Sequence, residues 1–460
     1  MGAFRTPTRE AWEAAARKAL KDRPLEDLTR RDRDGLAIAP LYTADDGIAP
    51  VSAPRAADAD GRAWDLRMAV EADSPAEANA EALTDLQNGA ASLLLSGAVL
   101  ADPDPLGAAL KDVALELAPV GLDAGIDGPD AANALAVAAK GAPRARLMFH
   151  MDPLSAFAAA GGAPRPIAEH LTLAANTAAR HAGAYPEADF FLASGRVVHE
   201  AGGTNAQALG FAAASALALL KAGIEAGLPL DRAARGLWLG LTVDAEYFDA
   251  LATVRALRLI WAGLTAPLGL DLPTRIEVRS SRRMLAARDP WPNLLRLTAA
   301  GFAGAVGGAE AIVLDGFTRA AGRPDAFARR QARNTQLVLM EEAHLGRVDD
   351  PAAGSWFLDA RTRDLAAAGW AEFQRLEAEG GLAASLLAGA FQARVAEARA
   401  ALEAAHAGGG KALVGVTRFV DPEPRPAPAA PLPPPPAALG QIAPLSPLPL
   451  AAALEPEAAR

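Results

Sequence analysis

Short apolar segments that alternate with longer helical patterns constrain the fold of this chain more than any other feature. Between Trp64 and Asp315, eight segments of four to seven residues are rich in apolar side chains, which is strand length rather than helix length. The stretches between them, such as Ile167–Ala182, are rich in helix-forming residues. Eight strands that alternate with helices predict a (β/α)₈ TIM barrel, and a doubly wound open sheet is the alternative. The predicted strands are Trp64–Val70, Ser92–Ser96, Pro119–Leu122, Arg146–His150, Asp189–Ala193, Leu237–Val243, Arg275–Arg279 and Ala311–Leu314.

The pattern divides the chain into three parts. Residues 1–62 form an N-terminal arm or linker, with a helix predicted over Pro7–Lys21 and Thr6 as its cap. Residues 63–420 form the barrel with additional C-terminal helices, predicted over Asp325–Glu342, Arg361–Ala378 and Ala383–Ala405. Residues 421–460 form the third part, in which twelve of the 35 prolines lie between Pro422 and Pro449, and this predicts an extended tail without a packed core.

Composition excludes several functional classes. The net charge of −10 argues against a nucleic-acid partner or an anionic membrane, and the lack of cysteine excludes disulfides, thiol catalysis and iron–sulfur clusters. The start of the chain, Met1–Glu10, lacks the apolar region of an export signal, so a cytoplasmic location is predicted. The uncharged run Ala201–Leu220 could span a bilayer by length, but its alanine content favours a buried helix.

A few polar residues are candidates for chemistry. His199 and Glu200 could act as an acid–base pair, although a structural pair is the alternative. Asp244 and Glu246 follow the sixth strand, on the side of a barrel where active sites form, but Asp244 could equally cap a helix. The glycines of Gly304–Gly308 precede a strand, which favours close helix packing over dinucleotide binding. No pair of histidines has metal-ligand spacing, so no metal site is predicted.

Nine short motifs, spread over roughly residues 10–420, form a specific set. They are Pro40–Thr43, Glu200–Gly203, Arg255–Trp261, Asp289–Arg296, Gly307–Gly308, Arg333–Gln336, Glu341–Glu342, Asp350–Trp356 and Val414–Phe419. In their residues and order they resemble the signatures of the methylmalonyl-CoA mutase family. The resemblance implies a (β/α)₈ barrel, which agrees with the independent strand count.

The resemblance also implies a chemistry. Catalytic members of the family are isomerases of propionate metabolism that interconvert (R)-methylmalonyl-CoA and succinyl-CoA by radical chemistry, with adenosylcobalamin as the radical source. In them CoA threads the barrel axis, and a separate C-terminal domain holds the cobalamin. Family-matched positions that could contact the cofactor are Glu200, Gly202 and Gly307.

This sequence departs from the family where the chemistry is done. The family's catalytic Tyr-His pair falls on Arg196 and Val197, and valine cannot donate a hydrogen bond to a thioester carbonyl. A neutral run that lines the CoA channel reads Ile276–Arg282, and a Leu-His-Thr-Asn segment reads Val313–Gly316. The radical-shielding Tyr motif is missing between Pro50 and Trp64, and the cobalamin signature Asp-x-His-x-x-Gly is missing throughout. The resemblance therefore implies no catalytic residue, no metal ligand and no cobalamin-binding domain here.

These departures resemble the small, non-catalytic subunit of the family, which forms a heterodimer with a catalytic large subunit. We expect the complex to be active with adenosylcobalamin bound mainly by the partner, and the chain alone to be inactive. One alternative is an active acyl-CoA mutase that uses a cobalamin domain on another chain, with His199 replacing the missing donor. Another is a non-enzymatic barrel that binds a mutase or a CoA ester. Candidate phosphate contacts for that barrel are Arg279, Arg282, Arg283 and Arg288.

Overall fold

Eight parallel strands close into a barrel in the computed structural model, which describes residues 7–21, 23–56, 61–432 and 437–454. Each strand pairs with its neighbours in sequence, and the eighth returns to the first. The predicted (β/α)₈ barrel is confirmed, and the open-sheet alternative is wrong. The strands are β1 Asp65–Val70, β2 Ser92–Ser96, β3 Val120–Asp123, β4 Leu147–Met151, β5 Asp189–Ser194, β6 Leu237–Val243, β7 Ile276–Ser280 and β8 Ala311–Val313.

Helices surround the barrel and continue beyond its last strand. The helices in the described part of the chain are α1 Arg9–Leu20, α2 Pro75–Gln87, α3 Pro103–Ala109, α4 Gly128–Ala138, α5 Pro153–Ala160, α6 Ile167–Ala182, α7 Arg196–Glu200, α8 Asn205–Glu225, α9 Leu230–Arg235, α10 Tyr247–Thr265, α11 Pro292–Val306, α12 Ala326–Leu337, α13 Trp356–Ala378, α14 Leu382–Leu387, α15 Ala390–Ala407 and α16 Leu450–Leu454. Shorter helical turns cover Leu25–Leu28, Ala44–Asp46, Ala98–Leu100, Gly125–Asp127, Ala266–Leu268 and Val338–Glu342. Two-residue ladders pair Arg30–Arg31 with Ala37–Ile38, and Arg323–Pro324 with Ala429–Ala430.

Two helices, α8 and α10, are long and apolar enough to cross a membrane by length and composition alone. In the most apolar 18-residue stretch of each helix, 67% of α8 and 61% of α10 is buried inside the protein. Packing therefore accounts for their composition. Thr204 caps α8 with a reciprocal pair of hydrogen bonds to Gln207, in which each side chain accepts from the other residue's backbone N–H. The buried helix predicted for Ala201–Leu220 is confirmed, although it begins at Asn205.

The N-terminal helix begins later than predicted. Thr8 caps it, because its hydroxyl accepts a hydrogen bond from Ala11 N, and the helix starts at Arg9 rather than at Pro7. The predicted cap, Thr6, lies outside the described residues. Farther along the arm, Arg33 donates hydrogen bonds to the carbonyls of Gly203 and Ala398, which fixes this segment on the barrel.

The C-terminal helices follow the prediction with two breaks. The helix predicted over Ala383–Ala405 is interrupted at Gly389, where a φ of +75° ends α14 and lets α15 begin. The helix predicted over Asp325–Glu342 changes into a wider turn at Val338, and α13 starts five residues before Arg361.

The prediction of an unpacked tail is wrong for residues 437–454. Leu445, Leu448 and Leu450 are buried, and the backbone of the tail bonds to the barrel. Leu445 N donates to Ala158 O at 2.8 Å, and Leu448 N donates to Glu200 O at 2.7 Å. Leucines placed between the prolines supply the apolar contacts that composition alone did not predict.

Candidate functional site

A network of charged side chains fills the barrel interior. Arg67 on β1 donates from Nη1 to Glu277 Oε2 on β7 at 2.5 Å, and from Nη2 to Asp65 Oδ2 at 2.6 Å. Arg279, also on β7, donates from Nε to the second oxygen of Glu277 at 2.6 Å and pairs with Asp123 at the end of β3. A continuous series of ion pairs thus links β1, β7 and β3 through the barrel interior. In order, its members are Asp65, Arg67, Glu277, Arg279 and Asp123.

The electrostatics of this network are those of a satisfied buried cluster. Burial alone would raise the pKa of Glu277, but the charges of Arg279 and Arg67 outweigh it and hold that pKa well below its usual range. The charge of Arg279 likewise lowers the pKa of Asp123 to about 2. The carboxylates and guanidinium groups therefore stay charged and paired near pH 7.

A cavity of about 920 Å³ opens at the amino-terminal end of the strands. Its lining includes Arg67, Met148 and Trp238 from the barrel interior and Leu117 from the rim. Arg67 donates to Met148 Sδ at 3.0 Å and lies over the Trp238 ring at 5.0 Å. Because the buried Arg67 spans the interior at this level, the cavity ends there and does not continue along the axis.

The carboxyl-terminal mouth holds the two positions where the family carries its catalytic pair. Arg196 and Val197 both lie on α7, directly after β5. Burial, with repulsion from Arg279, lowers the pKa of Arg196 to about 10, and its Nε is buried without a hydrogen bond to any described residue. Val197 presents only methyl groups, so the position of the family's histidine has no donor for a carbonyl.

His199 and Glu200 are structural groups in this fold. His199 Nε2 lies 3.0 Å from Ser281 Oγ, and burial with the nearby charge of Arg283 holds the pKa of His199 well below its usual range. The Glu200 carboxylate accepts hydrogen bonds from the backbone N–H groups of Arg282 and Arg283, both at 3.1 Å. The pair therefore fastens α7 to the loop after β7, and these contacts are those of a structural pair.

The three positions matched to cofactor contacts do not share one site. Glu200 and Gly202 lie together at the carboxyl-terminal side, and Gly202, with a φ of +96°, packs against Arg399. Gly307 follows α11 and packs against the backbone of Leu251 in α10. Each of these residues has a packing role in the barrel. Their contact with a cofactor stays a prediction.

Asp244 serves the turn before α10. Its Oδ1 accepts a hydrogen bond from Glu246 N at 2.9 Å, and its Oδ2 lies 3.5 Å from Arg283. Glu246 pairs with Lys411. Close packing also explains the glycine-rich stretch, because a Cβ at Gly304 would lie 2.9 Å from Val278 on β7.

The arginines considered as phosphate contacts are engaged inside the protein. Arg282 lies 3.2 Å from both Asp315 and Glu71, and Arg283 Nη1 donates to the carbonyl of His199 at 2.9 Å. Arg279 belongs to the interior network, and Arg288 donates to a backbone carbonyl of the tail. Each of these four arginines therefore has a contact within the described part of the chain.

The buried charged and polar residues of the barrel interior were not predicted from the sequence. Arg67, Asp123 and His150 were not singled out. The available signal was a charged residue in an otherwise apolar strand, as in Asp65–Val70, since such a residue must be paired when both faces of the strand are buried. What the sequence could not show was which carboxylate would meet Arg67.

The chain matches the protein-family model described as methylmalonyl-CoA mutase over residues 96–442. It is 36% identical over 421 residues to the methylmalonyl-CoA mutase small subunit of Streptomyces virginiae, covering 85% of this chain and 67% of that protein. It is 32% identical over 419 residues to the small subunit of Propionibacterium freudenreichii subsp. shermanii, covering 84% and 64%.

A third relative, the methylmalonyl-CoA mutase of Escherichia coli, is 26% identical over 463 residues, covering 89% of this chain and 64% of that protein. The chain thus spans about two thirds of the length of the curated relatives it matches. The family model covers most of the barrel, and two of these three relatives exceed 30% identity over most of the chain. On these matches, and with the barrel that the family has, the chain belongs to the methylmalonyl-CoA mutase family.

Proposed function

We propose that this chain is the small subunit of a heteromeric methylmalonyl-CoA mutase and supports a large subunit that interconverts (R)-methylmalonyl-CoA and succinyl-CoA. The observation that carries the proposal is the Arg67–Glu277–Arg279 network. It fills the barrel interior where catalytic members, as the family resemblance implies, thread CoA along the axis. Two relatives above 30% identity are named as small subunits, which supports the same role.

The residues at the carboxyl-terminal mouth do not fit adenosylcobalamin chemistry. Val197 stands where a donor to the thioester carbonyl is needed, and His199 is bonded to Ser281 and held neutral by burial. We therefore assign no step of the reaction to this chain, and we infer that the partner binds the adenosylcobalamin.

The contribution of this barrel is then stabilisation of the large subunit. A partner that binds only the folded state stabilises it by mass action, and an obligate heterodimer buries on the order of 2,000–5,000 Å². In this proposal the heterodimer is cytoplasmic, and the chain has no nucleic-acid or membrane partner.

The two alternatives have less support. An active mutase with a borrowed cobalamin domain needs a donor near Val197, and His199 is already committed to Ser281. A barrel that binds a CoA ester needs free cations at its mouth, and Arg282 and Arg283 are held by contacts within the chain.

Mutase activity with adenosylcobalamin tests the proposal. The chain alone, the large subunit alone and a mixture of the two are assayed with methylmalonyl-CoA, and light scattering gives the mass of the complex. We expect a stable, active complex and no turnover by this chain alone. The variant Val197→His serves as a control: it restores the donor but leaves the axis closed, so it too should be inactive alone. Turnover by the isolated unaltered chain would overturn the proposal.

A further inference from the structure

Four large apolar side chains are exposed on one side of the barrel, around the start of α10, the first half of α11 and the segment after α15. Phe419 is 85% exposed, Leu295 is 76% exposed, and Phe248 and Val414 are 53% and 50% exposed. We call these four residues the apolar face. A single exposed leucine needs no explanation, but a contiguous group of this size marks an interaction surface on a folded protein.

Contacts within the chain show that the first half of α11, which carries Leu295, lies beside the segment that carries Val414 and Phe419. Arg296, which follows Leu295 on α11, donates a hydrogen bond to the carbonyl of Val414. A Cβ at Gly415 would lie 3.4 Å from Pro292 at the start of the same helix. Leu295, Val414 and the adjoining turn that carries Phe419 therefore belong to one surface.

Phe248, at the start of α10, is connected to α11 through aromatic rings. Phe248 contacts Tyr247 with ring centroids 4.8 Å apart, and Tyr247 contacts Phe302 on α11 at 5.3 Å. Phe302 lies two helical turns from Leu295 on the same face of α11. An ion pair between Lys411 and Glu246 fastens the segment after α15 above the start of α10.

The backbone holds Phe419 in a costly arrangement. Its φ is +53°, in the left-handed region that aromatic residues rarely adopt, while its ring points into solvent. Strain of this kind is retained where the surrounding structure uses the side chain, and burial against a partner would use an exposed aromatic ring.

We propose that the apolar face is a docking surface for the large subunit, an inference that rests on the proposed function. Two arguments select this occupant. The face exposes on the order of several hundred Å² of apolar surface, which would supply a part of the roughly 1,000–2,500 Å² that each partner contributes to an obligate interface. A second copy of this chain would bring together two molecules of net charge −10, which opposes self-association.

The test uses the full chain and the cognate large subunit. Leu295→Asp and Phe419→Asp place a charge in the face, and each should weaken the complex at least tenfold, measured as a dissociation constant by titration calorimetry. Phe419→Gly removes the ring and relieves the positive φ, so it should weaken binding without lowering the melting temperature. Leu117→Asp is the matched control, because Leu117 is 82% exposed at the amino-terminal rim, away from the face. It should leave the dissociation constant within twofold.

The outcomes separate this inference from the proposed function. If the unaltered chain forms no complex with the large subunit, the proposed function fails. If the complex forms and the Leu295 and Phe419 variants bind as tightly as the unaltered chain, the apolar face is not the docking surface. The inference also fails if the chain alone forms a dimer that Phe419→Asp abolishes, because the occupant is then a second copy.

Discussion

Arg67 and Glu277 form an ion pair across the barrel interior, with 2.5 Å between Arg67 Nη1 and Glu277 Oε2 and at most 1% of either side chain exposed. Their strands, β1 and β7, are not neighbours, because β8 lies between them. Arg67 also contacts Ser92 on β2, Met148 on β4 and Trp238 on β6, so one guanidinium contacts four other strands of the barrel. With its neighbours, this buried pair closes the interior at this level, so the axis is not a continuous channel.

Glu277→Gln should destabilise the fold strongly. The change leaves Arg67 and Arg279 buried without the carboxylate that both contact, and removing one partner of a buried pair costs about 3–5 kcal/mol. Urea unfolding followed by circular dichroism measures the loss. Glu116→Gln breaks the exposed pair with Arg144 and should have no measurable effect. Equal stability of the two variants would show that the network contributes little.

Asp152 should make the fold less stable as the pH rises. Burial raises the pKa of this carboxyl to about 7, against the hydrogen bond that it accepts from Ser155 N. The folded state therefore binds the proton more tightly than the unfolded state. The stabilisation from Asp152 is fully present below about pH 4 and is lost as the pH rises through about 7.

Asp152→Asn tests this contribution because asparagine keeps the cap and removes the charge. At pH 8 the variant should be more stable than the unaltered chain, by up to about 4 kcal/mol for a pKa raised from 3.8 to about 7, and the difference should vanish near pH 4. Asp325→Asn is the matched control, since Asp325 caps α12 through a similar hydrogen bond to Ala328 N. A difference that does not change with pH would argue against titration of Asp152.

His150 should remain neutral well below its usual titration range. Burial lowers its pKa to about 4, the charge of Glu277 opposes this, and Arg67 adds to it. Both ring nitrogens lack a hydrogen bond to any described residue. Because the folded pKa lies below the unfolded one, stability from this group is lost as the pH falls from about 6.5 through about 4.

Proton NMR of the imidazole resonances measures this directly. The His150 resonance, assigned with His150→Asn, should not shift between pH 8 and pH 5, whereas a midpoint near 6.5 would contradict the burial argument. Asparagine suits the site because the φ of His150 is +46°. His344→Asn is the control: His344 also has a positive φ, of +55°, but its side chain is exposed.

The barrel could be predicted from sequence because its strands are short apolar segments that lie between strong helix formers. The spacing of Leu237–Val243 and its seven counterparts was enough to count the strands, and each prediction fell within two residues of the observed ends. The motif matches placed Val197 at the family's donor position, and α7 carries it at the mouth of the barrel.

The interior network and the packed tail could not be predicted in the same way. The partner of Arg67 is 210 positions away, and no local pattern indicates which strands meet across a closed barrel. In the tail, proline content predicted an extended backbone, which is largely what residues 437–449 adopt, but extension does not exclude contact with the barrel. The contacts of Leu445 and Leu448 depend on carbonyls supplied by Ala158 and Glu200.

The tail contact can be separated from ordinary backbone strain with two glycines. Gly161 and Gly269 have nearly the same φ, +71° and +69°, so alanine costs about 1 kcal/mol of backbone strain at either position. At Gly161, however, the new Cβ would lie 3.0 Å from the Ile442 carbonyl oxygen, whereas at Gly269 it would meet nothing within 4 Å. Gly161→Ala should therefore be the more destabilising change.

Hydrogen exchange at the tail amides identifies the cause of that difference. In Gly161→Ala the amides of Leu445 and Leu448 should exchange faster, because the segment that donates to the barrel is displaced, and in Gly269→Ala they should exchange at the unaltered rate. If both variants lose the same stability and leave these amides protected, the tail contacts the barrel but does not contribute to its stability. Faster exchange in Gly161→Ala alone would establish that residues 437–454 are an energetic part of the barrel.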